Sequence, residues 1–291
     1  MLISSIQRFA VRDGPGIRTT VFTKGCSLRC AWCHNPETIS PEIQVQFSES
    51  RCVRCGLCGE LCGRFEKNGG IRIGAPPCSG CGRCVDACPV KALSFSGKEM
   101  SADEVASAAE RDRLFFESSG GGVTFSGGEP LLQRDLPQVL RLLREKGIHT
   151  AVDTAMNVPW ASVAPVLPFA SLFLVDIKAL DETVHEKWTG SGNRLILENF
   201  QRLLDTGAEI WVRVPFIPQA NEGEMPKIAA YLRETAGSRI SLEIIPFHNY
   251  ASGKYRSLGM AYAFADVSPP EDEAYRRCLR LFDGLNLIHY D

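Results

Sequence analysis

No apolar run in this 291-residue sequence approaches the ~18 residues that a membrane-spanning helix needs. Residues 1–18 hold no apolar core of the kind that marks a secretory signal, so the cytoplasm is the expected location. Neither sign of charge dominates. Lys and Arg number 32 against 34 Asp and Glu, and a formal net charge of −2 gives no basis for bulk nucleic-acid binding. With 44% hydrophobic and 23% charged residues, the composition is that of an ordinary globular protein. Its length can bury one large core, or one core and a small insert.

What the sequence has in excess is cysteine. There are twelve, and eleven fall between Cys26 and Cys88. A reducing compartment disfavours disulfides, so these thiols point to metal or iron–sulfur clusters. Cys278, at helical spacing with Tyr275, Leu279 and Phe282, is expected to be a buried structural thiol.

Outside the cysteine-rich stretch, apolar strands alternate with amphipathic helices. Strands are expected at 19–23, 122–125, 149–153, 172–177, 210–216 and 241–245, with a last one at 287–290. Helices are expected at 102–117, 136–146, 193–205, 225–235 and 271–283. Such alternation argues for parallel βα units. Six of them suggest an α/β fold of the open, partial (β/α)6 barrel kind, with a doubly wound sheet as the competing architecture.

Residues 47–97 break this rhythm and repeat themselves. Cys52, Cys55, Cys58 and Cys62 recur 26 residues later as Cys78, Cys81, Cys84 and Cys88. Each half reads C-x2-C-x2-C-x3-C, the spacing at which three thiolates wrap one cluster and the fourth reaches its neighbour. One cluster would take Cys52, Cys55, Cys58 and Cys88, the other Cys78, Cys81, Cys84 and Cys62. Pro89 follows the last cysteine as in bacterial two-cluster ferredoxins, whereas Gly63 stands at the matching place in the first half. Zinc is the alternative, since paired C-x2-C motifs also suit tetrahedral sites. Over 48–97, seven Arg and Lys stand against four Asp and Glu, a shell that would suit an acidic electron donor or serve only as a solvated surface.

Cys26-x3-Cys30-x2-Cys33 offers three ligands to a four-iron cube. One iron is left open to a non-protein ligand, as catalytic zinc sites keep a vacant position. With Trp32 before the third cysteine, the spacing resembles the radical S-adenosylmethionine (SAM) signature. Asp13-Gly-Pro-Gly-Ile-Arg18, Lys24-Gly-Cys26 and Cys33-His-Asn-Pro36 resemble, more narrowly, the activating enzymes of glycyl radical enzymes. The likeness runs through essentially the whole chain, insert included.

The resemblance implies a partial barrel of the radical SAM type formed by 1–46 and 98–291, and a ferredoxin-like insert at 47–97. It implies three [4Fe–4S] clusters and SAM bound at the open iron. Reductive cleavage would give a 5′-deoxyadenosyl radical, which takes a hydrogen atom from a glycine of a partner enzyme. The catalytic set would be Cys26, Cys30, Cys33 and Lys178. Cofactor contacts would come from Trp32, Gly127, Gly128, Glu129, Asp176, Lys178, Arg213 and His248, with Glu129 of the Gly-Gly-Glu motif near the methionine amino group. Asp153, Thr154, the Leu174 carbonyl and Asp176 match positions that hold a monovalent cation. Asp13, Gly14, Pro15 and Gly16 match the loop that meets the partner's glycine loop. His34 is left without a role. A flavodoxin or ferredoxin would donate electrons, and the protein would work as a monomer without nucleic acid or membrane. Two other readings remain: a radical SAM enzyme acting on a peptide or small molecule, and a non-catalytic ferredoxin-like carrier.

Overall fold

The computed structural model describes residues 1–288. Its strands are β1 (Leu2–Ala10), β2 (Arg18–Thr23), β3 (Gln44–Phe47), β4 (Leu93–Ser96), β5 (Lys98–Glu99), β6 (Gly122–Gly127), β7 (His149–Thr154), β8 (Leu172–Asp176), β9 (Ile210–Phe216), β10 (Ser241–Pro246) and β11 (Asn286–Leu287). Nine of them form one sheet in the order β11-β10-β9-β8-β7-β6-β2-β1-β5. From β2 to β11 every neighbouring pair is parallel, while β1 runs antiparallel to β2 and to β5. A doubly wound sheet reverses its strand order at a switch point. Across the parallel strands, β11 to β2, this order never reverses, which removes that alternative.

All six expected internal strands are present. The last expected strand, 287–290, is represented by β11; positions 289 and 290 lie outside the described residues. Sequence reasoning missed β1. Register shifts between Ile3 and Ser5 and between Gln7 and Ala10 interrupt the alternation by which a strand is recognised. The expected helix at 102–117 is split into Ala102–Ala109, a 3-10 turn at Glu110–Asp112 and Arg113–Ser119. The break turns Asp112 inward, where its carboxylate accepts from Arg8 and from the Thr19 hydroxyl. Ser101 and Glu104 close a reciprocal capping box at the start of this stretch.

Period two sorts the strand residues onto the two faces of the sheet. Val152, Phe173, Val175 and Val212 join the main core. In the same core Leu136, Val139, Leu140 and Leu143 bury one face of the helix Leu136–Glu145. Ala151, Leu172, Leu174 and Trp211 form a small cluster of their own on the opposite face. Asp153, Asp176 and Arg213 lie two residues beyond Ala151, Leu174 and Trp211, so they share that second face at the strands' C-terminal ends.

The cysteine-rich segment sits on a two-stranded antiparallel stem, β3 with β4. The outermost pair of this stem is Gln44 with Ser96. Between the stem strands lie the short helices Leu57–Leu61 and Arg83–Asp86. Each begins at a left-handed glycine, Gly56 (φ 84°, ψ −14°) and Gly82 (φ 76°, ψ −13°), so the 26-residue repeat of the sequence is a repeat of backbone shape. Val45, Phe65, Cys84 and Leu93 form this segment's own small core. It is fixed to the main body by Arg64, which donates to the Leu258 carbonyl (2.7 Å), and by Gly74 N–H to the Gly259 carbonyl (2.8 Å). Among the described residues no helix is long and apolar enough to cross a membrane.

Candidate active site

The three-cysteine loop leaves the end of β2 and is pinned by backbone on both sides. Gly25 and Cys26 donate to the carbonyls of Thr38 and Ile39, and Arg29 and Ala31 donate to those of Thr189 and Trp188. The Gly-Gly of the next strand end packs directly beneath it. A Cβ on Gly128 would stand 2.2 Å from the Gly25 carbonyl oxygen, and Gly127 holds φ at 102°. Trp32, between the second and third cysteines, is buried edge-on against Phe264 with Ile217 and Phe247.

These elements line a cavity of about 230 Å³ that opens to solvent. Cys26, Cys30 and Cys33 line one wall, and Ser126, Gly127, Gly128, Asp153, Asp176, Lys178 and Arg213 line the other. Burial pushes the thiol of Cys30 up to about 11 and that of Cys33 to about 12, while Lys178 works against the rise at Cys30. Three thiolates therefore do not coexist here without a compensating cation, and metal-bound thiols are deprotonated outright.

The opposite wall is a ladder of ion pairs. Lys178 Nζ donates to Asp176 Oδ2 at 2.5 Å. Arg213 reaches Asp153 Oδ2 and Glu243 Oε2, each at 3.2 Å, and Ser126 Oγ donates to Asp153 Oδ2 at 2.6 Å. Strand register explains the match, because Asp176 and Glu243 both lie opposite Arg213. Burial alone would lower the Lys178 ammonium and the Arg213 guanidinium. The facing carboxylates outweigh it and hold both above their ordinary values.

Several expected site residues stand elsewhere than the motifs suggest. The Glu129 carboxylate is wholly buried beneath the cavity. It accepts from the Thr154 hydroxyl (2.7 Å) and from the backbone N–H of Leu131 (3.2 Å) and Ala155 (3.1 Å), and burial lifts its pKa to about 7. What the motif turns toward the cavity is the backbone of Gly127 and Gly128. Thr154 lines the cavity while its hydroxyl donates to Glu129, and Leu174 pairs with Asp153 in the strand register. The crowding of Asp153 and Asp176 is offset by Arg213 and Lys178.

His248 borders an adjoining groove rather than the cavity itself. Its ring stacks between His34 (4.1 Å) and Tyr250 (4.5 Å), and His34 Nε2–H donates to the His248 carbonyl at 3.0 Å. Burial, then the neighbouring His248, pull His34 down to about 4, so it is neutral at ordinary pH. His34 lines both spaces. Sequence reasoning gave it no role, and its adjacency to Cys33 was the available signal. Asp13 lines the groove, and its carboxylate accepts from the Thr20 hydroxyl at 2.6 Å. Gly16 lets the same loop touch Gly121, where a Cβ would stand 2.5 Å from the backbone N. Arg18 lies fully inside, bonded to Thr124 Oγ1 and to the carbonyls of Val123 and Pro15.

The remaining cysteines surround two further spaces. Cys52, Cys55, Cys58 and Cys88 line one, and Cys62, Cys78, Cys81 and Cys84 line the other. Each set takes three thiols from one repeat and one from the other.

The sequence model of the radical SAM superfamily matches residues 20–232, spanning the three-cysteine loop and β6 to β9. The chain belongs to the radical SAM superfamily. Membership implies a [4Fe–4S] cluster and SAM. The three-cysteine wall and the polar strand-end wall suit that pair in charge and donor type. Within the superfamily, the chain's homologues are activating enzymes of glycyl radical enzymes. It is 37% identical to the (2S)-3-sulfopropanediol dehydratase activating enzyme of Klebsiella oxytoca, over 91% of this chain and 88% of that one. It is also 37% identical to the trans-4-hydroxy-L-proline dehydratase activating enzyme of Clostridioides difficile, over 98% and 97%. A solved structure of Streptococcus suis SuiB bound to precursor peptide SuiA superposes with a TM-score of 0.53 at 13% identity. That match covers 92% of this chain and 47% of SuiB, and it speaks for the fold alone.

Proposed function

We propose that this radical SAM protein activates a glycyl radical enzyme, with SAM seated between the three-cysteine loop and the ends of β6 to β9. The observation that carries this reading is the meeting, across one cavity, of three thiols and a wall of backbone and paired charges. When bound, the cluster delivers one electron to SAM, whose cleavage furnishes the 5′-deoxyadenosyl radical that takes a hydrogen atom from a partner glycine. The chain's own part is to ligate, orient and exclude water.

Cys26, Cys30 and Cys33 would hold three irons and leave the fourth open. Gly127 and Gly128 allow the amino-acid end of the cofactor to approach the backbone, with Glu129 acting from beneath by fixing the turn. Lys178, held by Asp176, presents a cation to a carboxylate. Arg213 ties Asp153 to Glu243 and keeps the floor rigid. A monovalent cation at Asp153, Thr154, the Leu174 carbonyl and Asp176 would sit beside carboxylates that Arg213 and Lys178 already pair. Trp32 packs the cysteine loop against Phe264. His34 and His248 border the mouth, where the groove rimmed by the Asp13–Gly14–Pro15–Gly16 turn would admit the partner's glycine segment.

The sheet reads as a partial (β/α)6 barrel, which its unreversed strand order favours. The 47–97 insert reads as a ferredoxin-like domain with two [4Fe–4S] clusters, supported by the repeated turn and the two three-plus-one cysteine sets. A small acidic flavodoxin or ferredoxin would be the electron donor. The two relatives described have different partners at the same identity, so the partner must be found by experiment. The purified protein is mixed anaerobically with SAM, a reductant and each of a panel of glycyl radical enzymes. A glycine-centred EPR doublet with one of them is expected. Cofactor cleavage without that doublet in any mixture would instead favour a peptide or small-molecule substrate.

A further inference from the structure

Beside the three-cysteine loop lies an aromatic nest, three of whose residues, Trp32, Ile217 and Phe247, also line the cofactor cavity. Trp32, Phe247 and Phe264 form it with Ile217, and Cys30 and Tyr262 pack against it. Tyr262 stacks on Tyr255, ring centroids 4.3 Å apart, and neither tyrosine lines the cavity. The Tyr262 hydroxyl is shut off from solvent, yet no protein atom accepts its hydrogen. A buried hydroxyl left without a partner costs roughly 1–3 kcal/mol, so native structures seldom keep one unless something outside the protein completes it. A phenol carries its proton at ordinary pH, and the Cys33 thiol lies near this one. Tyr262 is therefore a donor beside Cys33, and the missing partner must be an acceptor.

We infer that Tyr262 donates its O–H to a sulfur of the cluster held by Cys26, Cys30 and Cys33, and so sets the reduction potential of that cluster. The inference rests on the cluster assignment of the preceding subsection. Hydrogen bonds to cluster sulfur favour the reduced state with its extra negative charge, whereas a dry apolar shell disfavours it. Trp32, Phe247, Phe264 and Ile217 supply the dry shell. Tyr262 supplies the opposing donor from within it. It is a positioning and tuning residue, since it stands outside the cofactor cavity and touches no substrate.

The test uses the holoenzyme. The EPR signal that changes when SAM is added is followed through a redox titration. Tyr262→Phe should lower the midpoint potential. Replacing the residue with a more acidic donor, Tyr262→3,5-difluorotyrosine, should raise it. Tyr231→Phe, on the helix Met225–Thr235, should leave it in place. In D2O, one exchangeable deuteron coupled to the reduced cluster should vanish in Tyr262→Phe. If both Tyr262 substitutions leave the potential and the deuteron coupling unchanged, the cluster assignment stands and the hydrogen bond is wrong. A SAM-responsive signal missing from the unsubstituted protein would overturn the cluster assignment and the hydrogen bond together.

Discussion

At the residue scale, Glu129 shows how a motif and its geometry divide the work. Gly-Gly-Glu invites a reading in which the carboxylate meets the cofactor. The structure gives that carboxylate three protein donors and no solvent, and it leaves the glycines to face the cavity. Burial lifts the folded pKa to about 7 from an ordinary 4.5, so between those values the folded state binds the extra proton. Its contribution is complete at low pH and is lost as pH rises through that window. Glu129→Gln should therefore flatten stability between pH 4.5 and 7 relative to the unsubstituted chain, by roughly up to 3 kcal/mol across the range. Urea midpoints measured across that range check it, and parallel curves for the two proteins would exclude the shift. The Asp176, Lys178 and Arg213 placements follow more directly from sequence. Asp176 closes β8 opposite Arg213 of β9, Lys178 stands two residues past it, and their ion pairs complete the pattern.

At the scale of elements, the helix Leu136–Glu145 is fixed by its apolar face. Leu136, Val139, Leu140 and Leu143 are fully buried, and the 3.6-residue period made this helix legible at once. Leu140→Ala should cost about 2–5 kcal/mol, read from denaturant unfolding with an unchanged slope. The split at 110–112 was not legible. Nothing in the local pattern announces that Asp112 will turn inward to meet Arg8 and Thr19, 104 and 93 residues away. In the insert, Gly56 and Gly82 repeat one turn at the same offset as the cysteines, so the duplication in the sequence is also one of structure. Cys84→Ala should remove one four-iron cluster from the insert and leave the cluster that cleaves SAM in place. Iron per chain should fall from about twelve to about eight. Loss of all iron, or none, would count against the two-cluster reading.

At the scale of the molecule, the insert is not a free appendage. Arg64 and Gly74 fasten it to Leu258 and Gly259, at the end of the helix Ser252–Ser257 that also carries Lys254 and Tyr255. Lys254 in turn bonds Asn35 and Glu37, just beyond the third loop cysteine. The second cysteine set, whose space Arg64 also lines, therefore lies on the attached side of the insert. The first set borders exposed Val53, Leu57 and Val90, which suits it to receive an electron donor. Exposed charges are screened within about 8 Å at physiological ionic strength. Reduction of the holoenzyme by an acidic donor protein should slow steeply as salt is raised, while reduction by dithionite at the same salt should change little. Equal salt dependence for both reductants would remove the electrostatic docking.

The sequence by itself determined the chemistry that depends on spacing along the chain: the open three-thiol loop, the duplicated cysteines, the strand–helix alternation and the strands that carry Asp153, Asp176 and Arg213. These are local or periodic, so they survive without knowledge of contacts. Only the tertiary structure decided what depends on residues distant in sequence: the inward turn of Glu129, the His34–His248 stack across 214 positions, and the burial of Tyr262 beside Cys33. Those outcomes are set by which long-range neighbours fill or leave empty a hydrogen bond, and no spacing rule encodes them.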